Sequence, residues 1–135
     1  QILDLMRNLQ SELGTAVILI THDLGVVAEM ARKVVVMYAG KVVEQAPVNT
    51  IFAEPNHPYT QGLLNSLPNV ELGAASGGRK RRLQEIPGIV PSLLNLPQGC
   101  KFASRCPKVM AICEEKEPLL EQVGADHLSA CWLNH

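Results

Sequence analysis

Apolar side chains at Ile2, Leu5, Met6, Leu9 and Leu13 recur at helical spacing, which predicts an amphipathic helix over residues 2–13 with one buried face. Gly14 supplies the stop expected just past such a helix. Thr15 to Ile20 is an unbroken β-branched and aliphatic run, the pattern of a strand covered on both faces. Thr21-His22-Asp23 breaks it, and Asp23 is placed to cap a helix over roughly Leu24 to Arg32. Val34 to Tyr38 and Lys41 to Gln45 flank the turn signal Ala39-Gly40 and read as a hairpin. Beyond Pro47 a short helix is expected from about Val48 to Ala53. In His57-Pro58-Tyr59-Thr60 the proline suits the first turn of a further helix reaching about Leu67.

The texture then changes. All nine prolines lie between Pro47 and Pro118, and all four cysteines, Cys100, Cys106, Cys113 and Cys131, lie in the last 36 residues. Between the two halves, small residues from Gly73 to Gly78 run into Arg79-Lys80-Arg81-Arg82, the composition of a mobile linker ending in a solvated charge run. The pattern therefore predicts a regular α/β part at 1–46, a helical connector at 47–68, a linker at 69–84 and a separately organised four-cysteine part at 85–135. The chain opens inside an amphipathic helix, without a cap or an initiator methionine. The strand at 15–20 has few neighbours to cover it. Both features read as a piece of a larger α/β protein.

Composition narrows the function classes. The 135 residues are 47% hydrophobic and 19% charged, enough apolar surface for a packed core. Twelve Lys and Arg against 13 Asp and Glu leave a net charge of -1, which argues against a nucleic-acid binder, as does the lack of basic–aromatic interleaving. The aliphatic runs are too short to span a bilayer, and no basic-then-apolar leader opens the chain.

Two groups of residues carry candidate chemistry. The first is Thr21-His22-Asp23, at the carboxyl end of the expected buried strand, where open α/β sheets bind ligands. An imidazole there reaches a phosphate through one hydrogen bond; equally, His22 caps the next helix or bonds the backbone. The second is the cysteine set, spaced C-x5-C, C-x6-C and C-x17-C. Four clustered thiols in a chain with no secretion signal point to metal before disulfides. In number they suit tetrahedral zinc and an iron–sulfur cluster alike, and their spacing matches neither a zinc ribbon nor the bacterial ferredoxin run. Trp132 is expected to pack over the site. Lys101 and Arg105 are placed in sequence to stabilise thiolates, while His127 and His135 read as surface residues. A part of about 50 residues with so few aromatics needs such a staple.

Val17 to Glu29 followed by Arg32-Lys-Val-Val-Val-Met-Tyr-Ala-Gly-Lys-Val-Val-Glu resembles the ATP-binding subunits of ABC transporters from the switch-histidine loop onward. His57-Pro-Tyr-Thr, Ile86-Pro-Gly-Ile-Val-Pro-Ser-Leu and Gly99-Cys-Lys-Phe-Ala-Ser-Arg-Cys-Pro are similar to the oligopeptide/dipeptide importer branch, which includes some nickel importers. The resemblance implies the carboxyl-terminal remnant of a P-loop ABC ATPase domain followed by a small, loop-rich, cysteine-stapled extension. It implies that His22 is the switch histidine contacting the γ-phosphate of ATP, with Mg²⁺ held elsewhere in the parent. It implies that Cys100, Cys106, Cys113 and Cys131 hold a [4Fe–4S] cluster, with zinc as the alternative.

No G-x-x-x-x-G-K-[ST], no LSGGQ and no Walker B acid pair occurs, so the parent is expected to hydrolyse ATP and this piece alone is not. The implied partners are permease subunits, a second ATPase subunit and, indirectly, an extracytoplasmic peptide-binding protein, at the cytoplasmic face of the membrane. The uncovered apolar segments are expected to drive self-association. A stand-alone metal-binding or iron–sulfur redox module is the competing reading.

Overall fold

A computed structural model describes residues 1–68 and 84–135. Residues 69–83 of the expected linker, including the Arg79–Arg82 run, lie outside the described residues. Helix α1 spans Ile2–Leu13 and closes on Gly14, whose positive φ of 62° turns the chain out of the helix. Helix α2 spans Leu24–Met30, and the Asp23 carboxylate accepts from the Gly25 and Val26 amides at its start. Strands β1 (Lys33–Tyr38) and β2 (Lys41–Pro47) pair antiparallel, with a register shift between Val36 and Met37. Their turn places both Ala39 and Gly40 at positive φ, the geometry of a two-residue hairpin. Helices α3 (Val48–Ala53) and α4 (Pro58–Asn65) follow.

The segment Thr15–Ile20 is not a strand. Among the described residues nothing pairs with it, and Ile18 and Ile20 are 90% and 94% exposed. A backbone ladder needs a partner strand, and high β-propensity does not supply one. The stripe on α1 is likewise uncovered: the helix has no buried residue, and its tie to α2 is the exposed Arg7–Glu29 pair at 2.7 Å. Such a pair stabilises by well under about 1 kcal/mol.

The tail joins the hairpin. After one single-turn helical piece (Ala103–Arg105) and α5 (Ala111–Glu115), strands β3 (Glu121–Gly124) and β4 (His127–Ser129) form a second hairpin. One antiparallel sheet results, in the order β1-β2-β4-β3, with Glu44 opposite Ser129 and Gln45 opposite Leu128. The fold among the described residues is thus a mixed α/β unit around an open antiparallel sheet. Two apolar clusters hold it. Val34, Ala46 and Ile51 pack with Val27, Ala31, Val48 and Phe52. Tyr38, Val43 and Phe102 pack with Tyr59, Ile86, Cys100 and Cys106, so the second cluster draws on both sides of the chain.

Candidate functional site

The sequence 54–60 folds around a buried carboxylate. Glu44 points inward from β2 and is fully buried. It accepts from the Asn56 amide at 2.7 Å and the His57 amide at 2.9 Å, and its Oε1 lies 2.6 Å from His127 Nε2 on β4. An ionised carboxylate only accepts, so His127 donates through Nε2. Three donors offset the desolvation of the charge. One side chain thereby ties together β2, the approach to α4 and the tail. His127 is buried, which corrects the surface placement expected from its residue type. His135 is the one near the surface, paired with Glu121 at 2.8 Å.

His57 caps α4: its Nδ1 accepts the Tyr59 amide at 3.0 Å. Pro58 follows at the first helical position, where a missing N–H costs nothing. The His57 ring lies against Phe102, 5.9 Å between centroids, and Phe102 packs edge-on to Tyr38 at 5.2 Å. Burial pushes the His57 pKa down to about 4, with the Glu44 charge opposing. Because the folded value is the lower one, the unfolded chain binds the proton first. Stability is then full above the ordinary histidine value and is expected to fall as the pH drops from about 6.5 toward 4, by up to about 3 kcal/mol. Urea midpoints measured across that window should show the slope, and His57→Asn should flatten it.

The four thiols converge. Cys100, Cys106, Cys113 and Cys131 line one narrow cavity of about 10 Å³, together with His57, Phe102, Lys108, Trp132 and Leu133. Cys113 and Cys131 are buried and the other two are partly exposed. Close backbone contact sets the convergence: the Cys100 amide donates to the Cys113 carbonyl at 2.7 Å. Gly99 is required beside it, because a Cβ there would overlap the backbone of Cys113 and Glu114. Trp132 lines the cavity as expected and donates its indole N–H to the Lys116 carbonyl at 2.8 Å.

Burial pushes the Cys100, Cys106 and Cys131 thiols up. The amides two residues on, of Phe102, Lys108 and Leu133, pull them back, and neighbouring sulfurs push them up again. Thiols that repel one another as thiolates, each met by a backbone N–H, form a donor set that a cation would relieve. In chemistry the set fits a soft, thiolate-bound metal. In spacing it does not fit a single ion. Zinc with four bonds of about 2.3 Å needs its sulfurs roughly 3.8 Å apart. Among the described residues, no three His, Cys, Asp or Glu side chains stand close enough together to hold one ion. The cavity has room for about one water, so a larger group has to part its walls.

Two cations expected near the thiols are engaged elsewhere. Lys101 donates to the Pro97 and Gly99 carbonyls and faces Glu117 at 3.6 Å. Arg105 bonds the Ile86 and Pro87 carbonyls and the Tyr38 hydroxyl. The charge that acts on Cys106 and Cys131 is Lys108, which the spacing did not single out. His22 lies apart from the cavity lining, in an exposed turn before α2, where the Asp23 amide donates to the Thr21 hydroxyl at 3.0 Å.

An antiparallel hairpin, a histidine-capped helix and a proline-rich four-cysteine tail share one sheet here, and this assembly coincides with a known sequence family. Residues 43–113 match the family described as the oligopeptide/dipeptide transporter, C-terminal region, and the chain belongs to that family. Among relatives, it is similar to a protein of Sinorhizobium fredii named probable peptide ABC transporter ATP-binding protein, with 52% identity over 132 residues, 98% of this chain and 38% of that protein. The oligopeptide transport ATP-binding protein AppD of Bacillus subtilis is 47% identical over 133 residues, 98% of this chain and 39% of that protein. OppD of Mycobacterium tuberculosis, also named an oligopeptide transport ATP-binding protein, is 50% identical over 131 residues, 97% of this chain and 21% of its own length. The chain therefore spans less than half the length of these relatives.

Proposed function

We propose that this chain serves as the carboxyl-terminal part of the ATP-binding subunit of an ABC transporter that imports oligopeptides or dipeptides. The observation that carries this reading is the uncovered apolar segment Val17–Ile20 leading straight into Thr21-His22-Asp23. Side chains of that kind are stable in water only when something covers them. A sheet and helices contributed by the rest of a nucleotide-binding domain would do so. Relatives named as peptide-transporter ATP-binding proteins align along nearly the whole chain and support the same reading.

In it, residues 1–46 belong to the nucleotide-binding domain, 47–68 connect, 69–84 link and 85–135 form the four-cysteine extension, docked through β2 and β4. Among the described residues no helix is long and apolar enough to cross a membrane. The subunit would sit on the cytoplasmic face against permease subunits, beside a second ATPase subunit, with a peptide-binding protein acting from outside. Expressed alone, the chain is expected to self-associate through its uncovered face and to lack ATPase activity.

His22 would act on ATP, the substrate, by donating a hydrogen bond to the γ-phosphate and orienting the attacking water. Phosphoryl transfer is mostly positioning and charge stabilisation, so the turn must be rigid. Asp23 supplies that rigidity: its carboxylate is committed to the α2 amides and its own amide to Thr21. In the whole subunit assembled with its permease, His22→Ala is expected to lower ATP turnover about 100-fold while ATP affinity changes little. Turnover equal to the wild type would overturn the assignment.

The four thiols are read as ligands of a [4Fe–4S] group rather than zinc. What speaks for a shared ligand is that all four thiols line one cavity, although among the described residues they do not close around a metal. Cys100, Cys106, Cys113 and Cys131 would hold the group, which supplies electron-transfer capacity or a structural staple when bound.

A further inference from the structure

The turn that carries His22 is continuous with α2, because the Asp23 carboxylate binds the first amides of that helix. The other end of α2 is held from α1. Arg7 Nη2 donates to the Glu29 carboxylate at 2.7 Å and to the Glu29 carbonyl at 3.2 Å. That carbonyl lies in the last turn of α2, where C=O groups lack a partner within the helix and a cation is favoured. Asp4, one turn back on α1, takes Nη1 of the same guanidinium at 3.4 Å. Leu3, Met6, Arg7 and Gln10 are the partly buried residues of α1, at spacings that share one face. The stripe Ile2, Leu5, Leu9 and Leu13 occupies a neighbouring face and is exposed.

We propose that Arg7 is a positioning residue for His22: by holding Glu29 it sets the direction of α2, and with it the place of the imidazole at the start of that helix. This rests on the reading of His22 as the donor to the γ-phosphate. A pair this exposed adds little stability, so its effect lies in orientation. Contacts to a side-chain oxygen and a backbone oxygen of one residue fix angle as well as distance. Helix α2 is about 10 Å long, so a tilt of about 10° moves its far end by about 2 Å. Displacements of about 1 Å in a reacting group lower rates by up to about 100-fold. In the same reading the apolar stripe of α1 seats on the body of the nucleotide-binding domain. Arg7 then carries that anchorage across to α2 and the Thr21-His22-Asp23 turn.

The test uses the full-length subunit assembled with its permease, with ATP turnover followed in four forms: wild type, Arg7→Ala, His22→Ala and the double variant. Arg7→Ala is expected to lower kcat about tenfold while KM for ATP stays within about twofold. In the His22→Ala background the same change is expected to cost less than about twofold, because Arg7 acts through the imidazole. Wild-type kcat in Arg7→Ala, or a tenfold loss in both backgrounds, would overturn the role of Arg7 and leave His22 standing. His22→Ala as active as the wild type would overturn the reading on which both rest. If Arg7→Ala does not assemble, Glu29→Gln replaces it, keeping the size of the partner and removing its charge. A loss of about threefold in kcat that vanishes in the His22→Ala background supports the proposal. Unchanged kcat, or a loss that persists there, overturns it.

Discussion

Glu44→Ala is expected to lower the free energy of unfolding by about 3–5 kcal/mol, the usual cost of breaking a buried charged network by removing one partner. The carboxylate is fully buried and serves three donors, two backbone amides and His127 Nε2. Truncation leaves all three unpaired away from water, and an unsatisfied buried donor costs about 1–3 kcal/mol. Glu44→Gln keeps an acceptor oxygen but turns an NH₂ toward a donor, and should fall between the wild type and alanine. Urea unfolding followed by circular dichroism measures both. A loss under about 1 kcal/mol for alanine would mean that water reaches this carboxylate and the network is not the tie described here.

Phe102→Ala is expected to cost a similar amount, about 3–5 kcal/mol, through lost burial and the cavity left behind. Phe102 is 2% exposed and touches Tyr38, Tyr59 and the His57 ring. Those partners come from β1 and from the start of α4, so the damage should cross the whole sheet. Amide exchange is expected to quicken in Val34–Tyr38 as well as in the tail from Cys100 to Ser129. Faster exchange confined to the tail would show that residues 85–135 keep a core of their own. The result also bears on the cysteines, because the same ring walls their cavity.

Most local structure was legible from the residues. Helical spacing located α1, Asp23 marked the start of α2, and Ala39-Gly40 marked the hairpin. Pro47 and Pro58 bracketed α3 and α4. The convergence of the four thiols beside Trp132 also followed the sequence reading. These features depend on backbone preferences and on side chains a few residues apart, which a linear pattern records.

The failures share a different cause. The run Thr15–Ile20 has strand composition, but pairing requires a partner, and composition does not say whether one is present. Strands β3 and β4 are too short and polar to show alternation, and they exist because β2 offers an edge. Lys101 and Arg105 flank the cysteines in sequence, yet nearby carbonyl groups claim them. Lys108 faces the thiols instead.

The sequence by itself determined α1 to α4, the first hairpin and its turn, the Gly14 and Asp23 caps, the cysteine set and the family. Only the tertiary structure decided that the tail and the hairpin share one sheet across residues 69–83, and that Glu44, His57 and His127 form one buried group. Glu44 and His127 are 83 residues apart, and their pairing comes from β2 meeting β4. A buried charge is stable only where several donors converge on it, and that convergence is a property of the folded chain.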